Sequence, residues 1–155
     1  MQKIWVVYDS KWGNCKRVAE ALGKLVEQDY EVHIEHAKRV TPAQVVADQP
    51  IAVFIGGPIH AAMPSFTIKR WASKLGNTLK KQGKRIPKAL VFCTAGGTPQ
   101  NAAKLKVVLE NSEQFDQIYP DTFGVLVAGQ QGPIKPEELP KIDAFAEPLR
   151  AFLAK

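Results

Sequence analysis

Cysteine and methionine each occur twice in this chain of 155 residues, and acidic side chains are outnumbered by basic ones. The two cysteines, Cys15 and Cys93, lie far apart and have no metal-ligand spacing, which points to a reduced, cytoplasmic setting. No apolar run approaches the roughly 20 residues that span a bilayer. Met1-Gln2-Lys3 leads straight into a strand-like run, so neither a signal peptide nor a transmembrane segment is expected. Internal repeats, low-complexity tracts and inter-domain linkers are lacking too, so residues 1–155 read as a single domain. No Ser-His-Asp or Cys-His pattern is visible, and no carboxylates can be paired. No catalytic side chain and no metal site are therefore assigned. The G-x-G-x-x-G dinucleotide fingerprint and the Walker G-K-[ST] are also missing.

The shortage of acid leaves a formal charge of +6, from 21 Lys and Arg against 15 Asp and Glu. Such a surface attracts anionic partners. The densest cluster, Lys80, Lys81, Lys84, Arg85 and Lys88, includes Gly83 and Pro87 and reads as a solvated connecting loop. No aromatic residue interleaves with these charges, so a stacking platform for single-stranded nucleic acid is not supported.

What is present is an alternation of two periods. Short apolar runs at Ile4–Tyr8, Ile51–Ile55, Ala89–Cys93 and Phe123–Val127 read as strands buried on both faces. Glu31–His36 alternates polar and apolar residues, as an edge strand with one wet face does. Between them lie helical stripes: Val18, Ala21, Leu22, Leu25 and Val26; then Ile68, Trp71, Ala72 and Leu75, entered through Pro64 and closing near Gly76. Others are Ala102, Leu105, Val108 and Leu109 behind Thr98-Pro99, and Ile142, Ala146, Leu149 and Leu153. Thr41-Pro42 opens a short helix before Asp48. Strand and helix thus alternate five times. Right-handed crossovers then give an α/β doubly wound, five-stranded parallel sheet, with helices on both faces and the alternating strand at one edge, in the order 2-1-3-4-5. In such a sheet ligands bind beyond the carboxyl ends of the strands, where the winding reverses.

Three loops reach that edge. The first, Asp9-Ser10-Lys11-Trp12-Gly13-Asn14-Cys15, is small, polar and glycine-bearing, and opens into a helix whose unpaired N–H groups form an anion site. Ser10 adds a hydroxyl, Asn14 an amide and Trp12 an indole N–H. Gly56-Gly57-Pro58-Ile59-His60-Ala61-Ala62-Met63-Pro64 follows the third strand. Cys93-Thr94-Ala95-Gly96-Gly97-Thr98-Pro99 follows the fourth, and its glycines allow close backbone approach. Among single residues, Cys15 sits where a helix dipole lowers a thiol pKa, although a small residue filling a turn is the plainer reading. Cys93, Trp5 and Trp71 read as packing, His33 and His36 as surface residues, and Glu137 and Glu138 as charge at a helix N-terminus.

Val7-Tyr8-Asp9-Ser10-Lys11-Trp12-Gly13-Asn14-Cys15, continuing to Ala19 and Leu22, resembles the FMN-phosphate signature of flavodoxins, above all the variant in flavodoxin domains of flavo-diiron-type proteins. The family pattern is Ser/Thr-x-Thr-Gly-Asn-Thr. Ser10, Gly13 and Asn14 keep it, whereas Trp12 and Cys15 replace threonines, removing two phosphate-binding hydroxyls and leaving the backbone donors. The resemblance implies FMN as cofactor, held by Ser10, Lys11, Trp12, Gly13, Asn14 and Cys15 at the phosphate. Pro58, Ile59 and His60 would line one side of the ring, and Thr94, Ala95, Gly96 and Gly97 the other.

It further implies an electron-transport or oxidoreductase flavoprotein working with a redox partner protein or a small-molecule donor or acceptor, anionic in view of the charge. The segment Gly56–Pro64, followed by Phe66 and Trp71, is similar also to flavodoxin-like protoporphyrinogen oxidases. An FMN-dependent enzyme, quinone-reductase-like or protoporphyrinogen-oxidase-like, thus stands beside an electron carrier. The alternative from another class is a flavodoxin-like interaction module that has lost FMN, as the missing threonines and the absent ring-stacking aromatic would allow.

Overall fold

The computed structural model describes residues 1–129 and 131–155. Strands β1 (Lys3–Tyr8), β2 (Glu31–His36), β3 (Ala52–His60) and β5 (Ile86–Ala95) are parallel neighbours in the order β2-β1-β3-β5. Two short strands, β6 (Phe115–Ile118) and β7 (Phe123–Leu126), share the fifth position, each parallel to β5. The winding is therefore the expected 2-1-3-4-5, with its last strand broken at residues 119–122. A two-residue strand, β4 (Met63–Pro64), folds back antiparallel on the end of β3.

Helices cover both faces because the central strands are apolar at successive positions. Ile4, Val6, Phe54, Leu90 and Phe92 pack on α1 (Asn14–Val26), α5 (Leu139–Ala144) and α6 (Ala146–Ala154). Val7, Val53, Ile55 and Val91 pack on α2 (Pro42–Ala47), α3 (Phe66–Gln82) and α4 (Ala103–Ser112). The alternating β2 does lie at the edge and turns Val32 and Ile34 to the α1 side. Thr41 starts α2 with a capping box: its hydroxyl accepts from the Gln44 N–H, and the Gln44 side chain accepts from the Thr41 N–H.

Several expectations are corrected. β6 escaped the sequence reading because Asp116 and Gln117 are exposed and leave it only two apolar residues. Helix α3 does not close near Gly76. It runs to Gln82 and ends at Gly83, whose φ of 63° suits the left-handed cap. Gly76 instead lets α3 approach α4, since a Cβ there would stand 2.6 Å from that of Ser112. The basic stretch is no solvated loop. Lys80 and Lys81 belong to the last turn of α3, and Arg85 pairs with Asp116 at 2.7 Å. Lys88 is only 6% exposed within β5, where its ammonium donates to the Phe152 carbonyl at 2.6 Å. That contact places a cation at the C-terminal end of α6, where the helix dipole favours it.

Glu138 does more than charge a helix start. It accepts from the Leu126 N–H at 2.9 Å, while Lys141 donates to the Gly124 carbonyl at 2.5 Å. Together they cover the open edge of β7, which would otherwise offer unpaired backbone groups.

Candidate functional site

At the carboxyl ends of the strands the loops enclose a cleft of about 380 Å³, within the range of roughly 300–1,000 Å³ usual for small-molecule sites. Ser10, Lys11, Trp12, Asn14 and Cys15 line it from the first loop, Pro58, Ile59 and His60 from the second, and Thr94, Ala95, Gly96 and Gly97 from the third. Gly13 is the exception. It stands at the N-cap of α1 with φ of 88°, a backbone shape natural to glycine, and its N–H donates to the Ser10 hydroxyl at 3.1 Å.

No side chain caps α1, and its first turn carries no acid, so the positive end of the helix opens beside Asn14 without a counter-charge. Asn14 itself is engaged elsewhere: its side-chain amide donates to the Gln131 carbonyl at 3.0 Å. Gly132 provides the space, since a Cβ at that position would collide with the Asn14 side chain. The residue expected to point at a phosphate thus ties the first loop to the segment after the fifth strand.

The second loop is a hairpin. Ile59 pairs with Pro64 and His60 with Met63 across a two-residue turn, Ala61-Ala62, with φ of 49° and 63°. This left-handed pair is normally given to glycine or asparagine and costs on the order of 1 kcal/mol or more per residue. Lys104, from α4, donates to the Ala62 carbonyl at 3.1 Å and steadies the turn. In the third loop a Cβ on Gly96 or Gly97 would meet nothing within 4 Å. These glycines leave open space over the cleft rather than admit a close neighbour.

Across the cleft the Trp12 and His60 rings meet edge to face, 5.7 Å between centroids, and the Lys11 ammonium lies 4.8 Å from the Trp12 centroid. Both thiols are buried. Burial pushes Cys15 far up despite its helix N-terminus, and pushes Cys93 up to about 12, so neither is a thiolate at neutral pH.

Ala61, Ala62 and Thr98 of the second and third loops also line the cleft, without having been assigned to the cofactor, and Asn101, Val127 and Gly129 line it from outside the three loops. Gly129 lies in the glycine-bearing segment after the fifth strand, at the same sheet edge, and that segment was the available signal. His36 is not a plain surface residue. Its Nδ1 accepts from the Lys38 N–H at 3.0 Å, so Nε2 carries the proton toward Asp9 Oδ1, 3.3 Å away. The Ser65 hydroxyl donates to the other Asp9 oxygen at 2.5 Å. With the carboxylate between serine and histidine, this knot joins β1, β2 and α3 and supplies no activated nucleophile. Trp5 and Trp71 likewise do more than pack: their indole N–H groups donate to Asp48 and to the Val40 carbonyl, each at 2.8 Å. Among the described residues no cluster of three or more metal-ligating side chains occurs. Among the described residues no helix is long and apolar enough to cross a membrane.

Solved structures share this architecture. The chain superposes on a flavodoxin from the domain Archaea with a TM-score of 0.77 at 15% identity, covering 99% of this chain and 100% of that one. Rubredoxin oxygen:oxidoreductase of Desulfovibrio gigas gives 0.75 at 20% identity, and the flavodiiron protein of Giardia intestinalis 0.72 at 16%. Each match covers 99% of this chain, which spans only 36% and 37% of those two longer proteins. No family model matches the chain, and no curated protein matches it in sequence. The fold is flavodoxin-like.

Proposed function

We propose that the cleft holds FMN and that the protein is a redox protein passing electrons between a donor and an anionic acceptor or partner. The observation that carries this reading is the convergence of the three loops on one cleft, at the uncapped N-terminus of α1. An uncapped, acid-free helix start favours a phosphate, through backbone N–H groups and the dipole. The apolar wall of Pro58 and Ile59 and the open backbone at Gly96 and Gly97 suit a flat ring. Ser10 would release the Gly13 N–H to an incoming anion and turn its own hydroxyl toward it.

The flavin would supply the electron chemistry, and the protein position, polarity and access. His60 and Lys11 are the ionisable side chains that reach the cleft besides the buried Cys15. His60 could hydrogen-bond a polar edge of the ring, and Lys11 would offset negative charge.

The Trp12–His60 contact favours a second reading. An aromatic pair meeting across the cleft, with no aromatic in the third loop, fits an interaction module that no longer carries FMN. Titration of the protein with FMN and with riboflavin, followed by quenching of flavin fluorescence, separates the two. Tighter binding of FMN than of riboflavin supports the phosphate site at α1. Equal affinities remove the phosphate from the account, and no quenching by either removes the cofactor.

A further inference from the structure

A second groove, of about 470 Å³, runs between the segment 37–42 that joins β2 to α2 and the first turns of α3. The helix contributes Phe66, Thr67, Arg70, Trp71 and Lys74, the spacing of one helical face, and the facing segment contributes Lys38 and Arg39. The Trp71 indole, bonded to the Val40 carbonyl at 2.8 Å, fixes the two walls to each other. Four cations line the groove and no carboxylate does. None of the four takes part in an ion pair among the described residues.

At its end stands Phe66, 76% exposed, and Met63, 42% exposed, lies three residues earlier on β4. A ring left this bare in the first turn of a helix belongs to neither hydrophobic core cluster. A bare aromatic beside unpaired arginines is the composition of an interface centre, and the surrounding positive charge selects the sign of what binds.

We infer that this groove docks an acidic protein segment, one that sets an apolar side chain on Phe66 and carboxylates against Lys38, Arg39, Arg70 and Lys74. Nucleic acid is the weaker fit: Phe66 is the one exposed ring of the groove, since Trp71 is buried, and successive bases need successive stacking faces. The β3–β4 hairpin, whose residues His60, Ala61 and Ala62 line the cleft, leads directly into α3 and so connects the groove to the cleft. The groove itself contains none of the cleft residues, and the inference stands or falls independently of FMN.

The test uses a short synthetic peptide in which Asp and Glu flank a central Leu-Trp pair, titrated into the isotope-labelled protein and followed by amide NMR. The expected result is shifts confined to Phe66, Thr67, Arg70, Lys74 and the 38–41 segment, with affinity that weakens as salt rises. The Arg70→Glu/Lys74→Glu double variant should lose at least about tenfold in affinity, as expected for reversed charge at a complementary contact. Phe66→Ala should bind more weakly with an unchanged melting temperature, because the ring touches solvent and not the core. Shifts on another face, wild-type affinity in either variant, or equal binding of the Asn/Gln version of the peptide would overturn the inference. Tighter binding of a single-stranded oligothymidylate than of the peptide at the same salt would overturn it in favour of nucleic acid.

Discussion

The Trp12 indole meets the His60 imidazole nearly at right angles, 82° between planes and 5.7 Å between centroids, bringing the first and second loops together over the cleft. Edge-to-face pairs of this kind add about 0.5–1.5 kcal/mol beyond their burial. A double-mutant cycle on stability with Trp12→Ala and His60→Ala should therefore give a coupling energy of about that size. Additive single effects would mean that the two loops hold their positions separately.

Asn14 joins the first loop to the carbonyl of Gln131 and sits beside an uncapped helix start. Asn14→Asp removes the donor and places a negative charge where an anion is to bind. FMN affinity should fall by at least about tenfold, a loss of about 1.4 kcal/mol or more. Asn14→Ala, which loses the same tie without adding charge, should fall less. Equal losses would assign the effect to the loop tie alone.

Acid stability has a specific contributor at the opposite end of the sheet. The Trp5 indole N–H, with Lys3 nearby, holds the Asp48 carboxyl below its ordinary value of 3.8. Because the folded value is the lower one, the stabilisation is full above about pH 4 and is lost as pH falls through the folded pKa. Its side chain is 31% exposed, so solvent screening keeps the effect under about 1 kcal/mol. Asp48→Asn should flatten the stability curve below about pH 4 and leave its slope near neutrality unchanged. An unaltered acid limb in chemical denaturation would show that Asp48 contributes nothing there.

Cys15 and Cys93 are each about 1% exposed, and burial raises both thiols. In the native protein at neutral pH neither should react with a thiol reagent on a timescale of minutes, whereas both should react in denaturant. Rapid native labelling of one thiol would place the first loop or the β5 terminus in an open conformation.

The architecture was legible because strands buried on both faces, the alternating edge strand β2 and the helical stripes each follow from local pattern. The three loops were legible because winding order alone identifies the edge at which they meet. What the sequence concealed depends on contacts between distant residues. Lys88 reads as one more charge in a basic run, yet the end of α6 gives its ammonium a carbonyl partner. Gly76 reads as a helix end until Ser112 shows that the space belongs to a neighbouring helix. Ala61 and Ala62 carry no turn signature, and their left-handed backbone depends on the β3–β4 pairing and on Lys104. Asn14 matches a phosphate motif, but its partner in the folded chain comes from beyond the fifth strand.

The most direct test of the central claim is the visible absorbance of the protein after incubation with excess FMN and removal of free flavin by gel filtration. The account predicts a flavin spectrum that stays with the protein at about one flavin per chain, the cofactor supplying the chemistry that the cleft positions. A colourless protein after that step would contradict it, and the cleft would then belong to a different ligand or to none.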